Sequence, residues 1–126
     1  MRFEDLDVWK IARQFAKEVC YLTKKEQFAS EFRFKEQIKS SAGSIMDNIA
    51  EGFERNGNKE FVQFLFIAKG SAGETRSQLY RAFDIGLISE KECNEFTVKA
   101  ENISQSLFNF IKYLQQTEIK GIKYKT

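Results

Sequence analysis

Proline and histidine are both absent from this sequence of 126 residues. Without proline, nothing locks φ or removes a backbone donor inside a helix, so the periodic segments read as long uninterrupted helices. Without histidine, the chain lacks the commonest general base, the commonest metal ligand and the Glu-x-x-His pairs of di-iron bundles. Cysteine is scarce: only Cys20 and Cys93 occur, both at or near inward helical positions, which favours buried thiols over a disulfide. The longest apolar run, Phe64 to Ala68, is far too short to cross a bilayer, and the opening MRFEDLDVWK puts acids where a signal peptide needs a basic flank. A cytoplasmic protein with no membrane partner is expected. No glycine-rich phosphate loop follows a strand, no Cys-x-x-Cys or nucleophile elbow occurs, and Ser44 and Ser71 sit mid-helix without a base in view. The sequence therefore predicts a non-enzyme without cofactor or metal.

What is present is apolar periodicity. Hydrophobic residues make up 42% of the chain, with 13 Phe, enough large side chains for the core of one domain. The stretch Asn58 to Gly86 reads as one long helix, its inward stripe running Phe61, Phe64, Leu65, Ala68, Ala72, Thr75, Leu79, Ala82, Phe83 and Gly86. A first helix starts near Asp5 or Asp7, either of which can cap it, and runs to about Thr23 with Val8, Ala12, Phe15, Val19 and Leu22 inward. Lys24 to Gln27 form a polar turn. A second helix begins between Ser30 and Phe34 and ends near Gly52, with Phe34, Ile38, Ala42, Ile45 and Ile49 inward; residues 55–58 supply a turn and caps. Ser89-Glu90-Lys91-Glu92 is a capping box opening a fourth helix that ends around Gln116 to Glu118. Short turns between four amphipathic helices give an all-α, up-down-up-down antiparallel four-helix bundle over 1–118, with 119–126 a basic, disordered tail.

Three glycines, Gly43, Gly70 and Gly73, fall inside helices, where each costs about 1 kcal/mol relative to alanine. Close approach of another backbone at the Gly70-Ser71-Ala72-Gly73 notch is one reason; simple tolerance is the other. Val62, Phe66, Gly73 and Tyr80 make a second apolar stripe on the third helix, more than one four-helix core needs. With Gly70, and with Trp9 either closing the core edge or facing a neighbour, they are the candidate oligomer interface, unless a thick Phe-rich core absorbs them.

Asp47 and Glu51, with Asn48 alongside, are spaced for an acid/base pair or an oxygen-ligand metal site, but a charge cluster answered by Arg55, Lys59 or Arg76 is the favoured reading. The formal net charge of +2, from 20 Lys and Arg against 18 Asp and Glu, permits contact with nucleic acid without demanding it. The candidate nucleic-acid contacts are Arg33, Lys35, Lys39, Arg55, Lys59, Lys69, Arg76 and Arg81. In a monomer they read as an ordinary charged surface; in a symmetric oligomer each is repeated, and a weak patch becomes a multivalent field.

The blocks SIMDNIAEG at Ser44 to Gly52, Lys59-Glu60-Phe61, and Ile67-Ala68-Lys69-Gly70-Ser71-Ala72 form a pattern, joined by Leu6-Asp7-Val8-Trp9 and Ser77-Gln78-Leu79. The pattern resembles the bacterial four-helix bundle proteins encoded within intervening sequences of large-subunit ribosomal RNA genes. It departs at Met46, where the family often has proline, and at Ser40 and Ser41, where it has basic or small residues. The resemblance implies an antiparallel bundle that assembles into a ring, commonly a pentamer. It also implies kinship with basic accessory proteins of retroelement reverse transcriptases, which bind nucleic acid through the outside of the ring. The expected function is thus a non-enzymatic homo-oligomer that binds RNA or another nucleic acid through repeated basic side chains. The alternative is a structural adaptor ring that binds a protein partner and touches no nucleic acid.

Overall fold

The structure is a computed structural model that describes residues 1–119. Its four helices are α1 (Asp7–Leu22), α2 (Phe32–Phe53), α3 (Asn58–Asp84) and α4 (Glu90–Ile119), with short 3-10 helices at Phe3–Asp5 and Glu26–Phe28 and no strand among the described residues. Contacts at two heights fix the antiparallel sense of neighbouring helices: 41 with 75 and 44 with 71 between α2 and α3, 79 with 93 and 61 with 110 between α3 and α4, and 18 with 99 and 25 with 92 between α1 with its turn and α4. α3 packs extensively on both α2 and α4; α1 packs well on α2 and lightly on α4. The architecture is the expected four-helix bundle, with α1 and α3 at opposite corners.

The helix ends show which local signals were used. Ser89 caps α4 as the sequence indicates: its Oγ accepts from the Glu92 N–H at 3.1 Å, and the Ser89 N–H donates to Glu92 Oε1 at 2.8 Å. α3 stops at Asp84, before Gly86, because Gly86 takes a left-handed φ of +81°. Its N–H then donates to Phe83 O and that of Leu87 to Ala82 O, the paired bonds of a Schellman stop. Neither Asp5 nor Asp7 caps α1: the cap position is Leu6, and the Asp5 carboxylate accepts from the Arg2 N–H at 3.1 Å instead. α4 continues to Ile119, so the boundary expected at 118 falls inside a helix; residues 120–126 of the basic tail lie outside the described residues. The turn after α1 is not simply polar, since Phe28 within it is wholly buried and stacks on Phe34 at 6.5 Å between ring centroids.

The inward stripes form one core. Phe61 stands at the centre of its α2–α3 end, edge-on to Phe53 at 5.9 Å and to Phe110 at 5.6 Å. Phe83, read as inward, lies out of this core and is exposed, because it stands about 100° round the helix from Ala82, which takes the inward position of that turn. Close approach between backbones occurs at a glycine not singled out for it. A Cβ on Gly52 would lie 2.6 Å from Phe64 Cβ and 2.9 Å from Phe61 Cδ1, whereas one on Gly43, Gly70 or Gly73 would meet nothing within 4 Å. Gly52 lets α2 and α3 converge where they leave their shared turn; the other three face open space.

Gly52→Ala should therefore destabilise the bundle by about 1–3 kcal/mol through overpacking. Gly73→Ala should leave the monomer unchanged or raise its stability by up to about 1 kcal/mol through helix propensity. Urea denaturation of the two variants beside wild type tests the contrast; equal effects would refute it.

Candidate nucleic-acid and subunit interfaces

A polar seam joins α2 to α3. Ser41 Oγ lies 2.8 Å from Thr75 Oγ1 and donates to Gln78 Oε1 at 2.6 Å, all three residues being buried. One turn further, Ser71 Oγ donates to Ser44 Oγ at 3.0 Å, and Asn48 Nδ2 donates to the same hydroxyl at 2.9 Å. Every buried side-chain nitrogen and oxygen among the described residues has a partner. Above the seam a shallow cleft of about 520 Å³ is lined by Arg33, Gln37, Ser40, Ser44 and Glu74, with Phe32 at its rim. Arg81 borders it, its guanidinium 4.5 Å from the Phe34 ring centroid and 3.5 Å from Gln37 Oε1.

The eight candidate cations do not converge on one face. Arg33 and Arg81 meet at the cleft, while Lys35 and Lys39 lie by helical geometry on the opposite, α1-facing flank of α2. Lys39 reaches Glu36 at 3.4 Å, Arg55 pairs with Glu51 at 2.6 Å, and Arg76 pairs with Glu101 of α4 at 3.5 Å. Among the described residues no carboxylate bridges Arg33, Lys35, Lys59, Lys69 or Arg81. The Asp47/Glu51 pair does not assemble as a site. Glu51 is taken by Arg55, Asn48 by Ser44, and no group of three metal-capable side chains occurs among the described residues.

The candidate subunit face divides. Phe66 is 49% and Tyr80 50% exposed, and Gly70 and Gly73 lie between them on the outer face of α3. Val62 and Trp9, each 8% exposed, are corrections to that set, because both belong to the chain's own core. Val62 turns toward α4, and Trp9 is closed over by Phe3 at 5.2 Å and by the Arg13 guanidinium at 5.5 Å. A second group of cations, missing from the sequence reading, stands on α1: Lys10, Arg13 and Lys17 frame a hollow of about 260 Å³ with Gln14. The available signal was the near absence of acids between Val8 and Lys25, where Glu18 is alone.

The sequence profile of the 23S rRNA-intervening sequence protein family matches residues 4–109. The chain belongs to that family. Among solved structures it is similar to the crystal structure at 1.70 Å of a protein of unknown function from the S23 ribosomal protein family of Bacteroides thetaiotaomicron VPI-5482. The two share 26% identity at a TM-score of 0.76, over 83% of this chain and 98% of that one. No curated protein matches. No helix of this intervening-sequence protein is long and apolar enough, among the described residues, to cross a membrane.

Three carboxylates in this family member are more acidic than usual: Asp5, held down chiefly by the Arg2 backbone N–H, and the two glutamates Glu92 and Glu18. Partial burial on its own would raise the pKa of Glu92, but bonds from Lys25 Nζ at 2.7 Å and from the Ser89 N–H outweigh it and hold the carboxyl below its ordinary value. Glu18 is held down in the same way, burial being outweighed by Lys99 Nζ at 2.9 Å and Gln14 Nε2 at 3.1 Å. Burial pushes the Cys93 thiol up, consistent with a packing role; Cys93 and half-buried Cys20 are both free thiols.

Because both glutamates are more acidic folded than unfolded, the stability they contribute is present above the ordinary glutamate value of 4.5 and is lost as pH falls through their lower folded values. Thermal melts from pH 6 downward, a range of about two to three units around those values, should show Tm falling more steeply for wild type than for Glu18→Gln/Glu92→Gln. Parallel curves would refute the assignment.

Proposed function

We propose that the chain is a non-enzymatic, cytoplasmic homo-oligomer that binds RNA or another nucleic acid through basic side chains repeated by its symmetry. The observation that carries this reading is the set of cations without carboxylate partners among the described residues: Arg33, Lys35, Lys59, Lys69 and Arg81 offer charge that no ion pair there consumes. A net charge of only +2 makes a single copy a weak polyanion binder, so the reading needs repetition. The outer face of α3 is suited to supply it: two half-exposed aromatics flank Gly70 and Gly73, whose missing side chains leave room for a second helix to pack closely. The same α3 face favours one other reading, an adaptor ring whose partner is a protein.

Light scattering on wild type and Phe66→Glu, followed by anisotropy titration of a labelled RNA at two salt concentrations, separates the readings. A mass of several chains that collapses in Phe66→Glu, with RNA affinity falling steeply as salt rises, is expected. A monomeric wild type refutes the repeated patch, and an oligomer with no salt-sensitive RNA binding leaves the adaptor.

A further inference from the structure

The cations of α1 lie outside the eight candidate nucleic-acid contacts, yet they form a strip with little neutralising charge. Between Val8 and Lys25 the one acid is Glu18, and it faces α4, where Lys99 Nζ binds it at 2.9 Å. Lys10, Arg13 and Lys17 are exposed, and among the described residues no carboxylate bridges them. Helical geometry places these three within about 60° of arc, so they share one outward strip, and Gln14 completes the hollow between them. The step from Lys10 to Lys17 is about 10 Å along the axis, and Lys24 follows in the turn just past the helix end. Next to this line of charge stands an aromatic ring. Tyr21 is 59% exposed, and Lys24 Nζ lies 5.0 Å from its centroid.

We propose that this strip is a track for single-stranded nucleic acid. Lys10, Arg13 and Lys17 hold successive backbone phosphates, and an unpaired base stacks on Tyr21 beside Lys24. Surfaces that bind single strands without reading sequence combine a line of cations with an exposed ring, and both are present here within three turns of one helix. An acidic protein segment would use the charges and leave the ring idle. The position in the bundle also fits: α1 lies diagonally across from α3, so its outer face stays accessible when the α3 face is covered by a second copy. The assignment rests on the nucleic-acid reading above and names the face and the strand form.

The test uses the full chain and a fluorescein-labelled oligouridylate of about 20 nucleotides, long enough to span such a track. Lys10→Gln/Lys17→Gln is compared with Lys91→Gln/Lys112→Gln, which removes the same charge from α4. The α1 pair should weaken binding about tenfold at low salt and lower the slope of log affinity against log salt by about 1.4, at roughly 0.7 per lost phosphate contact. The α4 pair should change affinity less than about twofold. Tyr21→Ala, at an exposed site, should cost about fivefold or more through lost stacking. Equal losses in the two lysine pairs overturn the α1 track while leaving nucleic-acid binding standing. A duplex of the same length bound as tightly, or an unaffected Tyr21→Ala, overturns the single-strand assignment. Polyglutamate bound as tightly as the oligonucleotide overturns it in favour of an acidic protein partner. A wild type that binds no oligonucleotide overturns both readings.

Discussion

The approach of α2 to α3 is the constraint on which the rest of the bundle depends. At one end Gly52 presents no side chain, and the Cβ of Phe64 lies where one would be. Midway, the interface is made of serines, a threonine and a glutamine that satisfy one another. Large apolar side chains would hold the helices apart, and unpartnered polar ones would be costly to bury; small hydroxyls with partners in the facing helix allow both closeness and a fixed register. With that distance set, Phe61 reaches across to Phe110 and α4 docks on the other flank of α3.

A helix held on two flanks has one face left, and α3 presents there a Phe and a Tyr separated by two glycines. Helix propensity disfavours glycine at both positions, and nothing among the described residues occupies the space they leave. At the diagonal corner α1 presents a different chemistry, cations with almost no acid among them. The bundle thus separates an apolar, notched corner from a basic one. In a closed assembly built through the first, the second is displayed once per copy.

Much of the fold was legible because helices advertise themselves through periodicity. The stripes of α1 and α2 and the Ser89 capping box depend on neighbours three or four residues away, so the sequence alone carries them. What was not legible depended on partners distant in the chain. Gly52 ends an amphipathic run and reads as a stop, and its role becomes visible only with Phe64 opposite it. Val62 and Trp9 sit at the edges of their helical stripes, where burial is decided by how closely α4 and Phe3 lean in. The candidate site was less legible still. Counting charges cannot tell Arg55 and Arg76, which are paired, from Arg33 and Lys59, which among the described residues are not.

The joints of the bundle differ in kind. The α2–α3 seam is held by neutral hydroxyl and amide bonds, whereas α1 and the turn after it are tied to α4 by light packing and two ion pairs, Glu18–Lys99 and Lys25–Glu92. Ion pairs at the surface weaken as electrolyte is added; neutral hydrogen bonds inside a core do not. Added electrolyte therefore acts on α1 at its contact with α4, and leaves its apolar packing on α2 and the α2–α3 seam as they are.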